Sequence, residues 1–270
     1  MEKTERILKR IKEHRNVVTD FVGSPDRIVF TALQGSQNYG LDYEGSDIDT
    51  KCVIVPTLDD IVNNKKPIST TLIMDNDEHC DVKDIRLMWG CYEKQNINFI
   101  ETLFTNYMLV NPMYDEEMDL LLRNNEKIAR YNPYRAVKCM QGMAHEKYHA
   151  LQHPYPNKID LIEKYGYDPK QLHHIIRLAE FLDRNVKGGS YAECLYSEKK
   201  EYLLTVKTVP MDLKSAVDLA LTYVNYVDKI AYAFSQYFDP KAYNKEAKEV
   251  LNTTKSDIIK KFLRLELLNE

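Results

Sequence analysis

The sequence predicts an α+β fold: a small domain of strands with flanking helices over residues 1–110, followed by a helical domain over residues 111–270. Two observations carry that division. Runs rich in β-branched and apolar residues, bounded by turn formers, are confined to residues 27–82, whereas from Ile85 onward apolar residues recur at helical spacing. The Asn111-Pro112 pair then breaks the chain and is a reasonable seam, with Pro154 to Asn157 a second place where it could divide. A strand-forming part followed by a helix-forming part is read as two successive layers of architecture.

Residues 3–21 read as a helix because Ile7, Leu8 and Ile11 share one face among Lys, Arg and Glu. Asp20 to Pro25, with Gly23 and Ser24, ends it with turn residues. Arg27–Gln34 reads as a strand broken by Gly35-Ser36, Asp47–Val55 as a second strand, and Thr71 to about Val82 as a third. Ile85–Trp89 and Ile97–Phe104 fit two short helices, and Tyr134–Leu151, Pro169–Asn185, Leu213–Phe238 and Ser256–Leu268 continue the helical pattern.

Composition narrows the class. Hydrophobic content of 44% and charged content of 29% are those of an ordinary water-soluble protein. No apolar run approaches the ~18 residues of a membrane span, and the charged start Met1-Glu2-Lys3-Thr4-Glu5 lacks the apolar centre of a signal peptide. The cytoplasm is the expected location. Five scattered cysteines without a Cys-x-x-Cys pair read as reduced thiols rather than a disulfide framework or zinc site. A net charge of −4 offers no global attraction to a polynucleotide, although a local basic surface could. The nineteen tyrosines are spread along the chain and point to nothing specific.

Chemistry is concentrated around Asp47-Ile48-Asp49. Side chains alternate along a strand, so Asp47 and Asp49 emerge from one face. Two carboxylates so close repel unless a cation lies between them, and hard oxygen donors suit Mg²⁺ or Mn²⁺. Asp81, in the apolar-acid-apolar triplet Cys80-Asp81-Val82, is the candidate third acid. If its strand neighbours the second, three carboxylates converge, enough to hold two ions for nucleotidyl or phosphoryl transfer. Asp75, Asp77, Glu78 and Asp84 compete for that place, Asp84 being better suited to capping the following helix. Gly35-Ser36 supplies the other half, since a glycine at a strand end lets backbone approach a phosphate and the serine hydroxyl adds a donor. Either motif alone is common in loops and surface strands; their conjunction at this spacing is specific.

The stretch from Gly35-Ser36-Gln37-Asn38-Tyr39-Gly40 to Ser46-Asp47-Ile48-Asp49 resembles the DNA polymerase β-like nucleotidyltransferase superfamily. Within it, the chain looks like the predicted RNA-repair-associated branch of bacteria and phages. The Asp84-Ile85-Arg86 helix start, the Asn96…Glu101 helix and the Lys170, His174, Arg177 row are similar to further motifs of that branch. Gln37 departs from it, standing where a basic residue is frequent. The resemblance implies a small mixed sheet with flanking helices, an NTP donor, two Mg²⁺ or Mn²⁺ ions, and transfer of NMP to a hydroxyl acceptor such as an RNA end or tRNA. Asp47, Asp49 and Asp81 would be the catalytic metal ligands, with Gly35, Ser36, Lys170, His174 and Arg177 binding the nucleotide.

Lys170, His174 and Arg177 stand at i, i+4 and i+7 on one helix face, opposite Leu172, Ile175, Ile176, Ala179 and Leu182. By spacing alone such a row is a solvated polar face; the resemblance turns it toward a triphosphate and the departing pyrophosphate. His145 and His149 share a helical face but lack the third ligand of a metal site, Glu101 supports the fold or the surroundings of the site, and Lys65-Lys66 reads as a solvated loop. Rival expectations are a nucleotide-sensing or partner-binding protein without turnover, and an antitoxin-like enzyme that nucleotidylates a protein. Acceptor identity (RNA, protein or small molecule), the preferred base and oligomeric state are not encoded in any of these motifs.

Overall fold

The computed structural model describes residues 2–43 and 45–269. In chain order the helices are α1 (Lys3–Val22), α2 (Leu58–Val62), α3 (Ile85–Glu93), α4 (Ile97–Ile100), α5 (Asp115–Arg123), α6 (Asn125–Ala129), α7 (Pro133–Ala150), α8 (Ile159–Tyr165), α9 (Pro169–Val186), α10 (Tyr191–Leu195), α11 (Lys200–Thr208), α12 (Leu213–Ser235) and α13 (Lys245–Asn269). The strands are β1 (Ile28–Leu33), β2 (Thr50–Ile54), β3 (Ser69–Ile73), β4 (His79–Asp84) and β5 (Met108–Val110). They form one mixed sheet in the order β3-β4-β2-β1-β5, parallel only between β2 and β4.

β1 and β2 are buried along their whole length, so β1 reads as a continuous apolar run, while β2 carries the buried Lys51 within it. On one side they are covered by α1, whose buried stripe Ile7, Ile11, His14, Val18 recurs at helical spacing. Val18 packs with Ile28, Cys52, Ile54, Cys80 and Val82, while Ile7 and Ile11 pack with Leu33 and Ile48. Gly23, at φ 78, closes α1 through its N–H to the Thr19 carbonyl at 2.8 Å, a left-handed cap that glycine adopts without a Cβ penalty.

Besides short helices the sequence reading left out and an earlier start of α13, three differences bear on the sheet. Thr71–Val82 is two antiparallel strands instead of one, turned at Met74–Glu78. The turn signal was there in Asp75-Asn76-Asp77, and Asp77 takes φ 63, which aspartate tolerates better than most residues. β2 begins at Thr50, so Asp47 and Asp49 lie in the segment leading into it. β5 spans only three residues, too short to leave a periodic signal.

The chain divides into two compact units, one of Met1–Asn38, Glu44–Tyr131 and Tyr243–Glu270, the other of Tyr39–Tyr43 and Asn132–Ala242. The expected seam at residue 110 therefore falls inside the first unit. Asn111 belongs there because its side chain donates to the Ile28 carbonyl at 3.0 Å and accepts from the Met113 N–H at 3.1 Å. α13 rejoins the first unit through Trp89 Nε1–H to Thr254 (3.0 Å), Leu58 N–H to Glu266 (2.7 Å) and Lys248 to Glu93 (2.6 Å). In the second unit α7, α9 and α12 pack on one another, with Leu172, Ile176, Ala216, Ala220 and Val227 fully buried. Among the described residues no helix is long and apolar enough to cross a membrane.

Candidate active site

Antiparallel pairing of β1 and β2 matches Leu33 with Thr50, so the end of β1 meets the start of β2. The Gln34 N–H extends that ladder to the Asp49 carbonyl at 2.9 Å. The Gly-Ser turn and the acid triplet, separated by ten residues in sequence, are thereby neighbours in space. Gly35 takes φ 86, and Ser36–Tyr39 is a single 3₁₀ turn rather than the start of an α-helix. Asn38 secures the turn, donating its side-chain N–H to the Leu33 carbonyl at 2.8 Å and accepting from the Thr105 hydroxyl at 2.6 Å. The Gly35 N–H is donated to the buried carboxylate of Glu101 at 3.2 Å. A phosphate at this turn would therefore meet its other donors.

Ile48 is buried against α1, while Asp47 is exposed and Asp49 about a third exposed, so the alternation read from sequence holds although the segment precedes the strand. Asp49 accepts the His79 N–H at 2.8 Å, and the His79 ring nitrogen stands 3.5 Å from the same oxygen. Asp81 is paired in register with Lys51 on the parallel strand and shares its face. Its carboxylate accepts from Lys51 Nζ at 2.9 Å and from the Thr71 hydroxyl at 2.7 Å. Partial burial would raise the Asp81 pKa, but the Lys51 charge, the hydrogen bonds from Thr71 and Lys51 and the charge of Lys83 together outweigh it and hold the carboxyl below its ordinary range.

The expected convergence of Asp47, Asp49 and Asp81 is thus not formed in this structure, where Lys51 engages Asp81. Among the described residues no group of three or more His, Cys, Asp or Glu side chains is placed to hold a metal ion. β4 does neighbour β2 as anticipated, but the register puts Lys51 opposite Asp81 and supplies a cation from the chain itself. Of the competing acids, Asp84 caps α3, accepting the Arg86 N–H at 2.8 Å. Glu78 is buried on the side of the sheet covered by α1 and bonds His14.

In the helical unit, α9 opens on Asp168, which accepts the Lys170 N–H at 2.9 Å, with Pro169 in its first turn. Lys170 is exposed and His174 is half-buried. Arg177 is 8% exposed, its guanidinium stacked 4.1 Å from the centre of the Tyr39 ring and its Nε without a hydrogen-bond partner among the described residues. The row is therefore not the uniformly solvated face that spacing alone suggests. Burial, then the charge of Arg177 and its neighbours His173, Lys170 and Lys147, holds His174 well below the usual histidine range. Lys207 lies over Tyr43, so both aromatic residues of the Tyr39–Tyr43 segment meet a cation of this unit.

Residues 1–180 match the RNA repair pathway DNA polymerase beta family. The chain belongs to that family. The matched span includes every candidate residue from Gly35 to Arg177 and leaves out α10 to α13. The chain is also similar to the crystal structure of a nucleotidyltransferase-like protein from Exiguobacterium sibiricum 255-15, at 11% identity and a TM-score of 0.32, over 94% of this chain and 90% of that one. No curated protein matches the sequence.

Within this polymerase β-family chain, Lys51 and His14 escaped the sequence reading, as did the contacts made by Gln37. Lys51 continues the same-face row Asp47, Asp49, Lys51, a signal that was legible. Gln37 is 4% exposed and donates to the Ser46 carbonyl at 3.3 Å, tying the Gly-Ser turn to the residue before Asp47. Its Oε1 has no partner among the described residues. His14 stands three residues after Ile11 and four before Val18, hence on the buried stripe of α1, where a histidine needs polar partners. Those partners come from β2 and the β3–β4 turn, which no local pattern reveals.

Proposed function

We propose that this chain transfers a nucleoside monophosphate from an NTP to a hydroxyl acceptor with release of pyrophosphate. The observation that supports this most directly is the Gly35-Ser36 turn held beside Asp47-Ile48-Asp49 by the Gln34–Asp49 ladder bond. Asp47 and Asp49 are accessible oxygen donors of the type that suits Mg²⁺ or Mn²⁺. Asp81 joins them in this reading by exchanging Lys51 for the cation. Such ions, when bound, neutralise phosphate charge and lower the pKa of a coordinated hydroxyl.

The remaining work falls to the chain's own groups. In the transfer the acceptor hydroxyl gives up its proton to a carboxylate of the site or to solvent, a bond forms between its oxygen and the α-phosphorus, and the bond from that phosphorus to the pyrophosphate oxygen breaks. Backbone donors of the Gly-Ser turn and the Ser36 hydroxyl orient phosphate oxygens. Lys170 and Arg177 form a cationic pair in the helical unit that suits phosphate, with the neutral His174 ring between them as a hydrogen-bonding group, and bound anion would satisfy the partnerless Arg177 Nε. The family description makes an RNA hydroxyl the first acceptor to test.

Incubating the protein with each α-labelled NTP, Mg²⁺ or Mn²⁺, and RNA, protein or small-molecule acceptors tests the reading. Label should pass to an acceptor, and the double change Asp47→Ala, Asp49→Ala should abolish transfer while leaving far-UV circular dichroism intact. Transfer by the double variant would refute the site assignment. The Lys51–Asp81 ion pair favours one second reading, a nucleotide-sensing protein in which two carboxylates bind metal–NTP without turnover. It is distinguished by metal-dependent NTP binding that yields no product with any acceptor.

A further inference from the structure

Beneath the acid triplet, on the α1 side, lies a buried polar cluster that the proposed chemistry does not use. Glu78, 7% exposed, accepts from Arg10 Nε at 2.7 Å and from the Ile48 backbone N–H at 3.2 Å, and faces His14 Nε2 at 3.1 Å. His14, fully buried, meets the Thr50 hydroxyl through Nδ1 at 2.9 Å. An ionised carboxylate only accepts, so His14 Nε2 carries the hydrogen and Nδ1 accepts from Thr50. A neutral imidazole satisfies both contacts, and burial lowers the His14 pKa in keeping with that form. Burial would raise the Glu78 pKa, but hydrogen bonds from Asn76, Arg10 and His14 outweigh it and keep the carboxyl ionised.

Asp49 thus sits between two residues anchored to the same group: Ile48 directly through its N–H, and Thr50 through His14. The Ile48 side chain is fixed by the same helix, packed with Ile7, Ile11 and Leu33. No regular strand pairing holds residues 47–48, since β2 begins only at Thr50. Glu78 supplies the acceptor that a neighbouring strand would otherwise provide.

We propose that Glu78 is a positioning residue for Asp47 and Asp49, clamping the backbone between them so that both carboxylates face one metal site. The consequence for metal rests on the function proposed above; the clamp itself does not. An alanine at position 78 removes the acceptor for Ile48 together with the charge that pairs Arg10. A glutamine removes the charge but keeps an oxygen for the Ile48 N–H, so the two substitutions separate positioning from stability.

The experiment compares wild type, Glu78→Ala, Glu78→Gln, Asp49→Asn and the exposed control Asp119→Asn. It reads melting temperature, hydrogen exchange of the peptide containing Ile48, and affinity for Mn²⁺ alone. Both Glu78 variants should melt lower, because each loses the Arg10 and His14 pairing. Only Glu78→Ala should speed exchange at Ile48 and weaken Mn²⁺ binding, by about tenfold, the lower end of what loss of a group supporting metal ligands costs. Unchanged Ile48 exchange in Glu78→Ala, or equal acceleration in Glu78→Gln, would overturn the clamp. Wild-type Mn²⁺ binding that Asp49→Asn leaves untouched would count against the metal reading instead, while the exchange result still decides the clamp.

Discussion

His173, the neighbour of His174 on α9, shows what burial does to a titratable side chain. It is 2% exposed, and burial together with nearby cations lowers its pKa to about 4 from 6.5, despite a hydrogen bond from Nδ1 to the Leu203 carbonyl at 2.9 Å. The unfolded chain binds this proton more readily than the folded one, so stability is full above pH 6.5 and declines as pH falls toward 4. The shift corresponds to roughly 3 kcal/mol across that window. A His173→Gln variant, whose amide can still donate to Leu203, should flatten the dependence of melting temperature on pH between 6.5 and 4. An unchanged slope would mean other groups carry it. Lys51 and Asp81 illustrate the opposite outcome, where a charged pair satisfies itself and so keeps a carboxylate out of the expected acid cluster.

At the scale of elements, α9 and α1 each place polar side chains by virtue of how they begin and what they bury. α9 depends on Asp168, itself 2% exposed, which caps the helix carrying Lys170, His174 and Arg177. Asp168→Ala should destabilise the helical unit by about 1 kcal/mol, the usual cost of an N-cap, as read by denaturant unfolding. A loss no larger than that of an exposed surface change would show that the cap contributes nothing. The β3–β4 hairpin matters for a different reason. Its tight turn brings Glu78 and His79 back toward the start of β2, where one bonds Ile48 and the other Asp49. A single long strand over Thr71–Val82 would have placed neither there.

For the whole molecule, the chain order and the spatial order part company. The last helix belongs with the first strands, and Tyr39–Tyr43, between the Gly-Ser and Asp-Ile-Asp motifs, belongs with the helical unit. Trp89 is the only tryptophan, is buried in the first unit and bonds Thr254 of α13, so its fluorescence follows that unit alone. Deleting residues 243–270 should lower the unfolding midpoint reported by Trp89 and shift its emission to the red. If the midpoint stayed in place, α13 would be an appendage and the returning contacts of Thr254 and Glu266 would be without energetic weight.

What the sequence determined by itself is the local and the chemical: helices with a clear 3.6-residue stripe, the two central strands, the Gly-Ser and Asp-Ile-Asp motifs, and through them the family. Periodicity and turn chemistry act over a few residues, so they are legible without a fold. Tertiary structure alone decided which cation meets Asp81, where Glu78 points, and why His14 lies on an apolar stripe. Each of these depends on strand register or on a partner more than twenty residues away, and a register is set by the packing of the whole sheet. The site opened by Gly35, Ser36, Asp47 and Asp49 was readable as a motif; the residues that hold it in place became visible only when β2, β4 and α1 were brought together.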